Sequence, residues 1–215
     1  MDTKIGVLTI SDRAYAGIYD DESGPAVIHT LEKIIISKWE QLAKIVPDEK
    51  NQIEEALIQL VDQEKCCLVI TTGGTGPSER DITPEATENV CEKMMPGYGE
   101  QMRNISMKYV PTAVLSRQTA GLRGKSLILN LPGNPKAIKQ TLIPLFESIP
   151  ACIDILGGPF IETDPDIVVA FRPNHQIAAV YIQLSKNGKM VFPQQSYKPY
   201  LKPFPQDQRP SCRLE

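Results

Sequence analysis

The sequence predicts an α/β fold: helices packed around a mostly parallel sheet, followed by a C-terminal extension with a β-hairpin. Three observations carry that expectation. The runs "KIGVLTIS" and "CCLVITT" are short, apolar and rich in β-branched residues, as strands buried on both faces are. Amphipathic stretches of helical spacing alternate with them, in a β-α-β-α-β-loop-α rhythm. Polar segments, one of them rich in glycine, follow the strands at the end where open parallel sheets bind ligands.

Taken in order, Lys4 to Ser11 forms the first strand and "DRAYAGIYDDESG" the loop after it. "PAVIHTLEKIIISK" then carries Ala26, Val27, Leu31, Ile34 and Ile35 on one helical stripe, with Pro25 in the first turn. "EQLAKIV" is a weaker strand. Asp48 opens the next helix as a candidate N-cap, with Ile53, Ala56, Leu57, Leu60 and Val61 as its apolar face. "CCLVITT" delivers the chain to "GGTGPSERD", and a helix restarts at "TPEATENVCEKM" with Thr83 as candidate cap. A Pro-Gly turn and the helix "EQMRNISMKYV" follow. "TAVLS" and "KSLILNL" are expected as strands joined through Gly121 and Gly124, and two helices interrupted near Pro144 and Pro150 close the compact part. Asn187-Gly188 lies between two apolar runs and favours a hairpin turn, ahead of an extended Pro-rich arm. The expected organisation is a domain over residues 1–173 and an extension over 174–215.

Composition narrows the function. The chain has 215 residues, enough for one substantial core, and a formal net charge of −3, which argues against a broad nucleic-acid surface. No run of about 18 apolar residues offers a membrane span. Five cysteines without metal-ligand spacing indicate reduced thiols and a cytoplasmic setting. The histidines, His29 and His175, have no Ser or Cys partner in view, so triad catalysis is not expected.

The glycine loop is where chemistry concentrates. Glycines after a buried strand let backbone N–H groups converge on an anion without interference from Cβ. "GGTGPSERD" lacks the lysine of a P-loop and the third glycine of a dinucleotide fingerprint. It is either a phosphate site of another format or a tight strand-to-helix connection. Asp81 either holds Mg²⁺ against phosphates or pairs with Arg80. Asp48 is either a cap or a site residue, and Asp12 either faces the ligand edge or orders a turn. Arg103, Arg117, Arg123, Lys125 and Lys136 are further candidate phosphate contacts. The loops "SDR", "PDE", "GGTG" and "NLPGNP" share one expected edge, and their convergence outweighs any single motif.

Together, "ISDRAYAG", "TTGGTGPSERDITPEAT", "MPGYGEQMR" and "AVLSRQTAGLRGKSLILNLPGNPKAI" resemble the molybdopterin-binding family of MogA and MoaB, which includes domains of gephyrin. The likeness runs from about Lys4 to Pro173, and "RDITPEAT" and "NLPGNP" lie closer to the MogA side. It implies a three-layer α/β/α sandwich, a homotrimer, and transfer of AMP from ATP to the phosphate of molybdopterin, with Mg²⁺ required. A molybdenum insertase of the MoeA type is the implied partner. The resemblance assigns catalytic roles to Asp48 and Asp81, and the expected holder of the metal is Asp81, joined by Asp48. It places the substrate-binding motifs at Gly73, Gly74, Thr75 and Gly76 and at Asn130, Pro132 and Gly133, and Ser11, Asp12, Arg80 and Asn134 in the same loops are further candidate substrate contacts. A non-catalytic pterin carrier is the alternative from another class, and a nucleotide-binding regulator is a third.

Overall fold

A computed structural model describes residues 2–172; the expected hairpin at Asn187-Gly188 and the Pro-rich arm lie outside the described residues. The chain runs β1 (Thr3–Ile10), α1 (Asp12–Tyr15), α2 (Ser23–Ile34), β2 (Trp39–Val46), α3 (Lys50–Ile58), β3 (Leu68–Thr72) and α4 (Thr83–Val90). It continues through β4 (Lys93–Met94), α5 (Pro96–Met107), β5 (Ala120–Arg123), β6 (Ser126–Leu131), α6 (Pro135–Leu145) and α7 (Ile149–Ile155). The six strands form one sheet in the order β2-β1-β3-β6-β5-β4. The first four are parallel, and β5 and β4 add antiparallel at one edge.

The side-chain period of two divides the core into two layers. On one face, Ile5 and Val7, Leu68 and Ile70, and Leu127 and Leu129 pack against Val27 and Leu31 of α2, Met102 of α5 and Ile138 and Leu142 of α6. On the other face, Leu8 and Ile10, Val69 and Ile128 meet Ile53 and Leu57 of α3 and Ala86 and Val90 of α4. Both faces are covered, so β1, β3 and β6 carry near-continuous apolar runs, and the three-layer α/β/α sandwich follows. Cys66 and Cys67 are buried, with burial pushing their thiols up to about 12 and about 11. No described helix is long and apolar enough to cross a membrane.

Several local expectations change. "TAVLS" is not a strand: Pro111–Leu115 is a short 3₁₀ helix with Pro111 in its first turn and Val114 and Leu115 exposed. Pro111 fixes a helical φ there. The segment expected as a connection, Ala120–Arg123, is instead β5, which returns along β6 through a turn with Gly124 at φ +54°. Its Gly121 is required by packing, because a methyl there would lie 2.4 Å from Cys91 Sγ. "DRAY" forms the short α1, the Pro-Gly turn is the first turn of α5, and α3 runs on as a π-helical turn over Gln59–Gln63.

Candidate active site

Parallel strands end on one edge, so the loops after β1, β2, β3 and β6 meet there. The register couples them directly: Ile10 pairs with Val46, Thr9 with Thr72, and Thr72 with Leu131. The Ser11 amide then donates to Val46 O at 3.0 Å, and the Gly73 amide to Leu131 O at 3.2 Å. Thr72 Oγ1 donates to Pro132 O at 3.0 Å, and a methyl on Gly133 would touch Gly73 Cα at 3.5 Å. The four loops expected to converge are therefore in contact.

Close approach explains the glycines. Gly73 has φ +103°, and a methyl on it would stand 2.2 Å from Ile10 O. Gly74 follows at φ +63°, where the same methyl would lie 3.3 Å from Asp48 Oδ1. At Gly76 it would lie 2.8 Å from Asp81 Oδ2. The two aspartates thus flank opposite ends of one loop. Between them, the amides of Gly74, Thr75 and Gly76 donate to no acceptor among the described residues. Three successive unengaged N–H groups form an anion-binding concavity.

Asp48 is not a helix cap. Glu49 occupies the cap position of α3 without a side-chain bond. Asp48 Oδ2 instead accepts from the Asp12 amide at 2.8 Å, and the Asp48 amide donates to Asp12 Oδ1 at 3.0 Å. The first-turn N–H of α1 is the unpaired donor that draws it there. Burial raises the Asp48 carboxyl above its ordinary value; the hydrogen bond from Asp12 opposes this, and the charges of Asp12 and Asp81 add to it.

Arg80 does not pair with Asp81. Its guanidinium forks onto Asp12, with Nη2 at 2.8 Å from Oδ2, and reaches Glu49 Oε1 at 2.9 Å. Asp81 turns the other way, accepting at Oδ2 from the Ser78 amide at 3.0 Å and from the Ser78 hydroxyl. No hydrogen bond reaches Asp81 Oδ1 among the described residues. Thr83 is likewise no cap: its hydroxyl donates to Gly73 O at 2.9 Å, and its amide to Gly74 O at 3.1 Å.

Other named residues are supports. Asn130 is fully buried and donates to Thr71 Oγ1 and Thr87 Oγ1, joining β6 to β3 and α4 beneath the loop. Asn134 caps α6, accepting from the Lys136 amide at 2.9 Å. Ser11 caps α1 and meets Tyr19 Oη at 2.8 Å. Arg123 is engaged by Asp62, and Lys125 sits in the β5–β6 turn; both are at the opposite sheet edge, beside a cavity of about 640 Å³. That cavity lies away from the convergent loops. A recess of about 440 Å³ lies beside the glycine loop, lined by Pro84, Glu85, Met94, Arg103, Arg117 and Gln118.

Residue spacing did not reveal the part played by Thr83 and Arg117, which tie the loop from outside. Arg117 Nε donates to Gly76 O at 2.9 Å, and a second nitrogen pairs with Glu85. Its only sequence signal is a basic residue in "LSRQ", some forty positions from the loop it holds.

For a divalent cation, no group of three or more His, Cys, Asp or Glu stands together among the described residues. The available donors, Asp81 Oδ1 and Asp48 Oδ1, suit the form in which one or two carboxylates share an ion with substrate phosphates. The mutual repulsion that helps raise Asp48 is what such an ion relieves.

Comparison with known proteins gives the family. Residues 6–150 match the family described as "Probable molybdopterin binding domain". A Helicobacter pylori protein named molybdopterin adenylyltransferase is 54% identical over 169 residues, covering 79% of this chain and 96% of that protein. An Escherichia coli protein of the same name is 48% identical, covering 79% and 93%. The crystal structure of MoaB from Thermus thermophilus superposes with a TM-score of 0.68 at 36% identity, over 74% of this chain and 99% of that one. The chain belongs to the molybdopterin-binding domain family.

Proposed function

We propose that this protein adenylates molybdopterin, as its relatives' names state for them, in the biosynthesis of the molybdenum cofactor. The observation that carries the reading is the run of three unengaged amides, Gly74 to Gly76, with Asp48 at one end and Asp81 at the other.

In the proposed step, a phosphate oxygen of molybdopterin attacks the α-phosphorus of ATP. The bond to the oxygen bridging α and β breaks, and pyrophosphate leaves. The nucleophile is already anionic, so no general base is needed; the obstacle is repulsion between two phosphates. The loop amides orient phosphate oxygens, and each hydrogen bond to a charged group contributes ~1.5–3 kcal/mol. Asp81, joined by Asp48, would hold Mg²⁺, whose charge would offset that repulsion. Arg80 belongs to the same loops, where Asp12 and Glu49 hold its guanidinium beside the proposed phosphate site.

The protein is further proposed to act in the cytoplasm as a homotrimer and to hand its product to a MoeA-type insertase. Incubation with molybdopterin, ATP and Mg²⁺ is expected to yield adenylated pterin and equimolar pyrophosphate. Pterin binding without that product would establish the carrier reading instead.

A further inference from the structure

We propose that Arg117 is a positioning residue for adenylyl transfer, aiming the loop amides and fixing the backbone that carries Asp81. The inference rests on the adenylyltransferase reading and adds to it a residue that touches no substrate.

Arg117 follows the 3₁₀ helix Pro111–Leu115 and approaches the glycine loop from the α5 side. It meets four acceptors. Its amide donates to Thr75 O at 2.8 Å, and Nε donates to Gly76 O at 2.9 Å. Nη2 donates to Asp81 O, and Nη1 pairs with Glu85 Oε1 in the first turn of α4. Its main chain therefore holds Thr75, and its side chain holds Gly76, Asp81 and the helix that follows.

Peptide geometry turns this grip into orientation. Every peptide bond described is trans, so a carbonyl and the next residue's N–H point in opposite directions. The Arg117 main-chain amide holds Thr75 O and so aims the Gly76 amide away from it, and the guanidinium holds the same glycine at its carbonyl. Holding Asp81 O sets the backbone from which the Asp81 carboxylate reaches Gly76. Glycine at 73, 74 and 76 leaves the loop without local stiffness, so orientation must come from outside. Arg117 supplies it with a planar fork, whereas a lysine would reach one acceptor at a time. Glu85 completes the arrangement: burial would raise its carboxyl, but the bond from Arg117 holds it below its ordinary value and keeps it ionised.

The test compares Arg117→Lys and Arg117→Ala with the wild type by two readouts. Turnover of adenylated pterin should fall about a hundredfold in both variants, the scale of a small misplacement of reacting groups. KM for molybdopterin and ATP should stay within about threefold, since no substrate contact is lost. Independently of activity, NMR order parameters of the Thr75 and Gly76 amides should fall from about 0.85 to below about 0.6. Wild-type turnover in Arg117→Lys, or unchanged order parameters in both variants, would overturn the proposal. If the wild type transfers no AMP, the functional reading fails while the order parameters still decide the positioning claim. Should the alanine variant not fold, the lysine variant decides both.

Discussion

Asp81 and Asp48 occupy equivalent positions at the two ends of the glycine loop, yet their surroundings differ. Asp81 is held by Ser78 at one oxygen, and its other oxygen is unengaged among the described residues. Removing its charge should therefore abolish metal holding without disturbing the fold. Asp81→Asn is expected to lower turnover by about 10²–10³, with molybdopterin affinity changed by no more than a few fold. Near-normal turnover would remove Asp81 from the mechanism. Asp48 is half-buried among like charges, and its carboxyl is raised above the ordinary 3.8. A raised carboxyl favours folding while protonated, and that contribution disappears as pH rises through the folded value. Asp48→Asn retains an acceptor for the Asp12 amide and removes the charge. Its Tm at pH 7 should equal or exceed that of the wild type, at about 2–4 °C per kcal/mol for a chain of this size. Turnover should nevertheless fall, and a lower Tm with full turnover would return Asp48 to a structural role. At this scale the sequence exposed both aspartates but not what they touch. An aspartate before a helix is so often a cap that its bond to Asp12, thirty-six residues away, had no local signature.

The elements owe their positions to packing that short motifs report unevenly. β1, β3 and β6 were legible because burial on both faces demands apolar residues at every position. β5 was not, since four residues containing a glycine resemble a connection until β6 pairs with them. Apolar "TAVLS" misled in the opposite direction, because an exposed 3₁₀ turn can carry valine and leucine without any ladder partner. The start of α2 shows how one residue sets an element. Asp21 accepts from the Ser23 amide at 2.9 Å, the Gly24 amide at 3.1 Å and Thr9 Oγ1 at 2.6 Å. Burial alone would raise its carboxyl, but these bonds outweigh that and hold it below 3.8. A lowered carboxyl stabilises the fold above pH 3.8, and that stability is lost as pH falls through the folded value. Asp21→Ala should destabilise by ~0.5–2 kcal/mol at pH 7, as cap removal does. The gap from the wild type should close below pH 3.8 in urea titrations followed by circular dichroism. A pH-independent gap would mean that its charge contributes nothing.

For the whole molecule, topology gathers the site. Four parallel strands bring loops from residues 11, 47, 73 and 132 to one edge, from positions up to 121 residues apart in sequence. That convergence was readable from the alternation of strands and helices, and the register of the parallel strands bears it out. What was not readable is the external hold on the glycine loop, through Thr83 and Arg117, because tertiary contacts of that kind leave no periodic trace. Phosphoryl chemistry at this edge also admits a second outcome, transfer of the terminal phosphate in place of AMP. Reaction of molybdopterin with ATP labelled at either the α- or the γ-phosphorus separates the two. The expected result is α-label in the pterin product and γ-label in pyrophosphate, with both lost in Asp81→Asn. Label from the γ-phosphorus on the pterin, or α-label on the pterin undiminished in that variant, would contradict it.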